Sequence, residues 1–553
     1  MKTWLMLTLL IFSTTLIALM PSAWSEFQKD IGIQAAQFRN SPEHQKYRQQ
    51  KETRSYVVGD SQTFWRWNLS VMPPLWIQTP ATCRAVGEHS YIFVADSEWN
   101  VHMTQANVDT IMVRLELNTP NNPDQGAIMM DVNLFGPIPD ELDNDPKLIV
   151  FYSALGSFQG TSFDGYFSPY NQVTEAQAQL MNPPGHSNEC EMIYMTCYPL
   201  NPVAPIRLSV LAHELQHLIH WGQDPNEETW LNEGCSELAM VAYGIPDPIT
   251  GFPSNPDNSL TAWNQQTADY VKVMLFFTYL YEHYDQTGLI QDLVADPLNG
   301  MASLIAQLAT HYPELTLGQL LSNWSAANVI DAPQPFDGLY NYTELDLPTF
   351  SMTNMNTYPT QPNQPVSAYA SDYLKYTLPE GTAEFHIVCN YSHHVKMLIF
   401  NDMNVCTDVI DNGVGSFDST VPPGTHHAVF VVTNISSMTG GYYYSIASTG
   451  TDDNSVIPVP TAITNCHPNP FSASSEISFS LEKQGFTTIK IYNTKGQLVK
   501  SMIQEFKNAG LHKVIWSGDN DYGKTLSSGI YIIRLTSNGI TKTEKILYHK
   551  NSQ

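Results

Sequence analysis

Apolar residues recur at helical spacing through the middle of this chain. From Ile206 onward, leucine and isoleucine positions follow one another at three- and four-residue intervals, and Pro205 suits the first turn of a helix. The segments 227–240 and 269–284 predict two further helices. Shorter helical candidates follow at 289–294, 301–310 and 317–323. Together these segments predict a mostly helical region from about residue 208 to residue 328.

Short alternating segments bounded by Asn, Asp, Pro and Gly lie on both sides of this helical region. Before it, the segments 90–95 and 147–152 predict strands, and 191–195 predicts another just ahead of the first helix. After it, strands are predicted at 373–378, 384–390, 395–400, 427–433 and 442–447, as in a β-sandwich. This order predicts a mixed α+β unit followed by all-β units.

The chain has 553 residues, more than one hydrophobic core usually organises. Links rich in proline lie at 332–335, 354–365 and 455–460. We expect the divisions to be a signal peptide at 1–25, a leader or short propeptide at 26–58, an α+β domain at 59–345, a β-sandwich domain at 366–450 and a terminal domain at 461–553.

The amino terminus has the layout of a signal peptide. A lysine precedes an apolar run at 4–20, and small residues at 22–25 suit signal peptidase, with cleavage after Ser25. The run is short and interrupted by Ser and Thr, which disfavours a transmembrane anchor, and no later stretch is apolar enough for one. We therefore expect an exported protein.

Charge excludes one class of partner. The formal net charge of -27 argues against nucleic-acid binding, which requires a basic face. From residue 451 onward, however, 11 Lys and Arg stand against 8 Asp and Glu, so the tail has a surface chemistry of its own.

The segment His213-Glu214-Leu215-Gln216-His217 carries the candidate chemistry. In a helix, His213 and His217 are one turn apart on one face, so both imidazoles can bind a single metal ion. Zinc in a hydrolase usually takes three protein ligands, and the helix predicted at 227–240 supplies several carboxylates. Glu233 lies where a short turn could return it to the first helix, and Glu237 follows one turn later on the same face.

His213-Glu214-x-x-His217 with Asn232-Glu233-x-x-Ser236-Glu237 resembles the zinc metallopeptidases whose third ligand is a glutamate, the gluzincins, and Trp230-Leu231-Asn232-Glu233-Gly234 looks closest to the hyicolysin-like secreted peptidases. The resemblance implies a zincin-type α+β domain. It implies a Zn²⁺ ion bound by His213, His217 and Glu233, with Glu214 as general base and Glu237 supporting a ligand histidine. Thermolysin-type members carry Asp where this chain has Glu237. The metzincins require Gly and His where this chain has His220 and Gln223.

Related gluzincins stabilise the oxyanion with a Tyr or His from the helical half. By that resemblance Tyr270 is the first candidate and His283 the second, although either is equally explained as an ordinary position of an amphipathic helix. In the same family the strand before the zinc helix lines the cleft and pairs with substrate. The segment 191–195 therefore has two interpretations, a substrate-pairing strand or a purely structural one.

The terminal domain resembles the type IX secretion sorting domain, which is similar to the immunoglobulin-like domain of the flagellar hook-cap protein. Five motifs occur in the same order as in that domain, at 467–471, 489–493, 496–499, 516–518 and 528–531. The resemblance implies a bacterial protein that meets the outer-membrane secretion machinery and is released or held at the cell surface. The segment 519–523 is expected to form a hairpin turn rather than a calcium loop.

The chain has seven cysteines, and their number does not decide which of them form disulfides. Cys190 and Cys197 are close enough in sequence to form a disulfide, as are Cys389 and Cys406, and export permits both bridges. Cys235 lies between two candidate site residues but is expected to face the helix core.

Two functions remain. The favoured one is a secreted zinc endopeptidase that hydrolyses extracellular proteins or peptides. An aminopeptidase would need a carboxylate to capture the substrate amine, for which Glu189 and Glu191 are the candidates. The alternative class is a surface adhesin or polymer-binding protein built on an inactive peptidase scaffold.

Overall fold

The computed structural model describes residues 20–50, 53–71, 73–140, 142–158, 160–355, 364–377, 383–389, 392–422, 425–448 and 460–550. Residues 4–19 of the predicted signal peptide, and the link residues 356–363 and 455–459, lie outside the described residues. The chain divides into two compact units. The first comprises 1–254, 260–315 and 342–348, and the second comprises 255–259, 316–341 and 349–553.

The first unit combines a six-stranded sheet, a two-stranded sheet and a set of helices. Its helices are α1 (Met20–Arg39), α2 (Pro42–Gln50), α3 (Gln105–Met112), α4 (Ala127–Phe135), α5 (Glu175–Ala178), α6 (Pro205–Gln223), α7 (Thr229–Tyr243), α8 (Thr267–Tyr284), α9 (Leu289–Ala295) and α10 (Gly300–His311). Its strands are β1 (Ser61–Asn68), β2 (Leu75–Val86), β3 (Ser90–Ala95), β4 (Leu148–Ser153), β5 (Ser157–Phe158), β6 (Thr161–Ser162), β7 (Gly165–Phe167) and β8 (Met192–Thr196).

The main sheet has the order β1-β2-β3-β4-β8-β7, and β5 and β6 form the two-stranded sheet. Strands β3, β4 and β8 are parallel to one another, and every residue in them is buried. Burial on both faces explains why these strands are continuous apolar runs in the sequence. Strand β7 is antiparallel to β8 and lies at the edge of the sheet. The strands predicted at 90–95, 147–152 and 191–195 are thus confirmed.

The helices predicted around the histidine pair are also confirmed. Pro205 occupies the first turn of α6, where its missing N–H costs no hydrogen bond. Helix α6 packs against β7 and β8, and α7 packs against both α6 and α8. This packing brings the carboxylates of α7 beside the histidines of α6.

The expected leader is helical and packs on the first unit. Ile31 and Ala35 on α1 are fully buried. The indole N–H of Trp221 on α6 donates to the carbonyl of Gly32, at 3.2 Å, and Arg39 donates to the carbonyl of Gly222, at 2.8 Å. Helix α1 therefore docks directly on the end of the histidine-bearing helix.

In its described residues, the second unit is built from two pairs of sheets and one α-helix, α11 (Leu317–Ile330). The strands of its first pair are β9 (Thr353–Asn354), β10 (Gln364–Val366), β11 (Ser371–Thr377), β12 (Ala383–Cys389), β13 (His393–Phe400), β14 (Cys406–Val414), β15 (Phe417–Thr420), β16 (His427–Asn434) and β17 (Gly440–Ser448). The strands of its second pair are β18 (Ala462–His467), β19 (Ser475–Leu481), β20 (Gly485–Asn493), β21 (Leu498–Lys507), β22 (Gly510–Trp516), β23 (Gly529–Ser537) and β24 (Ile540–Tyr548).

In the first pair, the sheet β10-β17-β12-β15 shares one apolar core with the sheet β14-β13-β16-β11-β9. In the second pair, β18-β19-β22 and β21-β20-β23-β24 enclose another core around Trp516. The five strands predicted between 373 and 447 are confirmed. Residues 520–524 form the expected hairpin turn, in which Asn520 N–H donates to the Lys524 carbonyl at 3.0 Å.

One helix belongs elsewhere than predicted. The segment 317–323 was expected in the helical half of the first domain, but α11 packs on β13 and β16 of the second unit. The hydroxyl of Tyr373 donates to the carbonyl of Ser325, and the hydroxyls of Ser325 and Ser371 are 2.7 Å apart. Helix α11 therefore packs its apolar face on the sandwich sheet that contains β13 and β16.

The structure contains no disulfide between the cysteines considered above, all of which lie in the described residues. Strand β8 lies between Cys190 and Cys197, and its five extended residues alone span about 13 Å, which is beyond the reach of a disulfide. Cys389 and Cys406 lie on strands of different sheets. Cys235 is fully buried within α7, as expected.

Candidate metal centre

Two helices meet at the candidate site. His213 and His217 are one turn apart on α6, with their ring centroids 4.8 Å apart, and α7 carries Glu233 towards both rings. The next residue of α7 is Gly234, where a Cβ atom would lie 2.2 Å from the ring of Phe277 on α8. Glycine at this position therefore permits the close packing of α7 on α8 that holds Glu233 in place.

The three candidate ligands converge on one point. Oε2 of Glu233 lies 3.6 Å from Nε2 of His213 and 3.8 Å from Nε2 of His217. All three ligand atoms lie within 4.8 Å of one another. Atoms bound tetrahedrally to zinc at about 2.0–2.2 Å are about 3.3–3.6 Å apart, so the two distances from Glu233 are within a few tenths of an ångström of those in a zinc site.

The other nitrogen of each imidazole faces an acceptor. Nδ1 of His217 lies 2.6 Å from Oδ1 of Asn232, and Nδ1 of His213 lies 3.5 Å from Oε1 of Glu237. An amide oxygen only accepts, so Nδ1 of His217 carries the proton and Nε2 keeps a lone pair. A hydrogen-bond partner of this kind orients a metal-binding histidine and fixes its tautomer, whereas the contact of His213 with Glu237 is an ion-pair distance and not a hydrogen bond.

The buried carboxylates make this site electronegative. Burial alone would lower the pKa of His213. The hydrogen bond of His213 to Glu233 and the charges of Glu237 and Glu214 outweigh this effect and raise that pKa to about 10. Burial lowers the pKa of His217 to about 4, which leaves this imidazole neutral. A bound cation would offset the charge of three carboxylates around two imidazoles, and the donor set of two nitrogens and one oxygen fits zinc.

Glu214 lies beside the ligands and in contact with the edge of the sheet. Its side chain is almost fully buried, and the backbone N–H of Phe167 donates to its carboxylate. Burial raises the pKa of Glu214 to about 7, while the charge of His213 opposes that rise. A Cβ atom at Gly165 would lie 3.0 Å from Cγ of Glu214, so the glycine of β7 leaves the space that Glu214 occupies.

A cavity of about 260 Å³ gives access to these groups. It is lined by residues of α1, β7, α6, α7, α8 and the connecting loops: Gln28, Lys29, Gly32, Gly165, Tyr166, Phe167, Pro169, His213, Glu214, His217, Trp221, Asp224, Pro225, Glu227, Thr229, Asn232, Glu233, Gln265 and Tyr270. The candidate ligands, Glu214 and Tyr270 therefore share one cavity.

Of the two candidate oxyanion donors, the structure brings only Tyr270 into the cavity lining. Burial, followed by the charges of Glu233 and Glu237, raises the pKa of the Tyr270 hydroxyl well above its ordinary value. His283 is wrong as an alternative. It lies 13 residues further along α8, about 20 Å away along the helix axis, and its ring packs 4.4 Å from that of Tyr279.

The proposed amine-binding carboxylates lie elsewhere in the described part of the chain. Glu189 accepts hydrogen bonds from the hydroxyl of Tyr47, at 2.6 Å, and from the backbone N–H of Glu175, at 2.8 Å. Glu191 is buried next to Asp143. Neither residue lines the cavity.

The strand that lines the cavity differs from the predicted one. Strand β8 is paired on both sides, by β4 and β7, so its backbone cannot accept a further strand. The edge strand β7 lines the cavity with all three of its residues. Sequence reasoning missed β7 because three residues give too short an alternation to detect.

Sequence reasoning also missed Asn232 as the partner of His217. The two residues are 15 positions apart and meet only because α6 and α7 pack together. The adjacency of Asn232 to Glu233 was the one signal available in the sequence.

Comparison with known families identifies the end of the chain. The family described as the secretion system C-terminal sorting domain matches residues 465–549. The predicted type IX secretion sorting domain is therefore confirmed, and the protein is secreted or located at the cell surface. Among the helices of the described residues, none is sufficiently long and apolar to cross a membrane.

Similar solved structures cover small parts of the chain. PorZ, a surface component of the type IX secretion system of Porphyromonas gingivalis, is 16% identical over 22% of this chain and 15% of its own, with a TM-score of 0.13. Dimeric latent PorU of P. gingivalis is 16% identical over 37% of this chain and 19% of its own, with a TM-score of 0.19. A β-glucuronidase of Ruminococcus gnavus is 10% identical over 33% of this chain and 37% of its own, with a TM-score of 0.15.

This chain spans between 15% and 37% of the length of those proteins. A search of curated protein sequences finds no match.

Proposed function

We propose that this protein is a secreted zinc-dependent endopeptidase that hydrolyses peptide bonds of extracellular proteins or peptides. The observation that carries the proposal is the convergence of His213, His217 and Glu233, whose ligand atoms lie within 4.8 Å of one another, with Glu214 in the same cavity. Two imidazoles and one carboxylate are a set of protein ligands that hydrolytic zinc sites use.

His213, His217 and Glu233 would hold the zinc ion, which when bound supplies Lewis acidity that polarises the scissile carbonyl and lowers the pKa of water. Glu214 accepts the proton of the attacking water and delivers it to the amine that leaves. The raised pKa of Glu214 favours this role because a general base works best when its pKa is near the pH of the reaction.

Tyr270 is the proposed donor to the oxyanion that forms as water adds to the carbonyl. The rise in its pKa keeps the phenol protonated at neutral pH, so its O–H is available to donate. The hydroxyl then stabilises charge that is present only in the transition state and intermediate.

The edge strand β7 is the proposed site for the substrate backbone. It has no partner strand on its outer side in the described part of the sheet, and its residues line the cavity beside Glu214. An extended peptide can add to such an edge by main-chain hydrogen bonds. This mode of binding suits hydrolysis within a chain, which is consistent with an endopeptidase.

The test is casein hydrolysis by the mature protein, with metal analysis, beside the variant Glu214→Gln. We expect about one zinc per chain in both proteins and a loss of activity of about 10²–10⁴-fold in the variant. Equal hydrolysis by the two proteins would remove Glu214 from the mechanism. Zinc binding without hydrolysis of any substrate would favour a binding protein on an inactive scaffold.

A further inference from the structure

Two carboxylates in the candidate cavity have no part in the proposed chemistry. Asp224 follows the end of α6, Glu227 precedes α7, and both line the cavity that holds His217 and Glu233. Asp224 is 4% exposed and Glu227 is 5% exposed. Acidic residues are seldom buried to this extent unless a positive group or several donors compensate them.

One oxygen of each carboxylate is held by the backbone. Glu227 Oε1 accepts from the N–H of Gly300, at 2.7 Å, and Asp224 Oδ1 accepts from the N–H of Asn226, at 3.4 Å. The second oxygens, Asp224 Oδ2 and Glu227 Oε2, are buried and have no hydrogen-bond partner among the described residues. Each carboxylate is thus positioned by one oxygen, while its other oxygen lacks a donor among the described residues.

A cation could supply the donor that both free oxygens lack. Burial raises the pKa of Asp224 to about 6 and that of Glu227 to about 7, and the charge of Asp224 contributes to the second rise. Asp296 also raises the pKa of Asp224, whereas Lys29 lowers it. A positively charged group with N–H donors would satisfy both free oxygens and stabilise both carboxylates in their ionised form.

The chain itself brings such a group to this place. Lys29 of α1 lines the same cavity, and its positive charge acts on Asp224. Lys29 is a side-chain ammonium presented from the interior of a helix, not a chain terminus. A side-chain ammonium is therefore a kind of cation that already lies in this cavity lining.

We propose that Asp224 and Glu227 form a subsite that binds a lysine or arginine side chain of the peptide substrate, and that Lys29 competes for this subsite in the full chain. The proposal rests on the proposed peptidase function and adds a substrate class to it. Peptides with a basic residue at one position relative to the cleaved bond are then the preferred substrates.

The experiment uses the full zinc-loaded chain and internally quenched peptides that carry arginine, or its neutral isostere citrulline, at each position in turn. At one position we expect kcat/KM to be about 10- to 100-fold higher for arginine than for citrulline, which is the range for a hydrogen bond to a charged group. Each peptide is made with a free and with an acetylated amino terminus. A preference that needs the free terminus and ignores arginine would assign the subsite to an α-amino group and overturn the proposal.

The double variant Asp224→Asn/Glu227→Gln keeps the size of both side chains. Its arginine-to-citrulline ratio should fall to within about threefold of unity. The control Asp296→Asn removes a nearby charge outside the cavity lining and should keep the wild-type ratio. Because each protein is compared with itself on two peptides, a general loss of folding or zinc does not change the ratio.

Lys29→Gln in the full chain should lower KM for arginine peptides and leave KM for citrulline peptides nearly unchanged. Equal cleavage of arginine and citrulline peptides by the wild type, or an unchanged ratio in the double variant, would refute the subsite. If the wild type cleaves no peptide, the peptidase proposal fails, and fluorescence anisotropy with the same peptides decides the subsite. Tighter binding of the arginine peptide would support it and equal binding would overturn it.

Discussion

Nδ1 of His217 lies 2.6 Å from the side-chain oxygen of Asn232, the residue that directly precedes Glu233 on α7. Because the amide oxygen can only accept, this contact places the imidazole proton on Nδ1 and directs the lone pair of Nε2 towards Glu233. One short stretch of α7 therefore supplies a candidate ligand and also orients another.

Replacing Asn232 by alanine should weaken zinc binding. The imidazole of His217 would lose its fixed orientation and tautomer, and loss of such a partner typically costs about 10–100-fold in metal affinity. Competition with a chromophoric chelator would measure the change, with the thermal unfolding of the metal-free protein as a control for folding. Unchanged affinity would show that the contact does not support a metal ligand.

Gly165→Ala should reduce turnover without removing zinc. The added methyl group would lie 2.9 Å from the sulfur of Met195, 2.9 Å from the carbonyl oxygen of Tyr194 and 3.0 Å from Cγ of Glu214, so β7 and Glu214 must shift apart. A displacement of about 1 Å in a catalytic group can cost about 10²-fold in rate. Steady-state kcat with metal analysis would measure this.

The matched control for that substitution is Gly529→Ala, at a strand glycine whose added methyl group meets no atom within 4 Å. It should leave kcat at the wild-type value. If Gly165→Ala also kept the wild-type kcat, the present position of Glu214 would not be required for turnover.

The sequence predicts the local part of this site and little of the rest. The pairing of His213 with His217 follows from helix geometry alone, because one turn separates them. Glu233 came from the resemblance to gluzincins. Asn232 and Gly165 act through contacts between elements, and no spacing within one element reveals them.

The fold shows the same limit. Apolar β-type runs bounded by turn residues identify β3 and β4 within one residue of their observed bounds. The partner of α11 was not predictable, because an apolar helix face has the same pattern whether it covers a helix or a sheet. Proximity in sequence also did not predict whether Cys389 and Cys406 form a disulfide. The sheet to which each of their strands belongs is set by tertiary pairing.

The β-sandwich should lose stability in acid through Asp411. Its carboxylate lies 2.6 Å from the ammonium of Lys396, which is almost fully buried, and 2.6 Å from Nε2 of His394. Burial alone would raise the pKa of Asp411. These hydrogen bonds and the charge of Lys396 outweigh burial and hold that pKa below its ordinary value.

A depressed folded-state pKa means that the stabilisation is present above the unfolded-state pKa of about 3.9 and is lost as the pH falls below it. At pH 6 we expect Asp411→Asn to be less stable than the wild type by about 1–3 kcal/mol, since the variant leaves Lys396 without its charged partner. Urea unfolding of both proteins between pH 6 and pH 2 should show this difference shrink. A difference that stays constant across that range would contradict the role of Asp411.

The most direct test of the central claim is casein hydrolysis followed through the removal and return of zinc. Dialysis against a chelator should abolish hydrolysis, and added zinc should restore it in proportion to occupancy, up to about one ion per chain. His217→Ala should fail to regain activity at the zinc concentration that restores the wild type. Hydrolysis that survives complete removal of metal, or that returns equally in His217→Ala, would contradict a zinc peptidase centred on His213, His217 and Glu233.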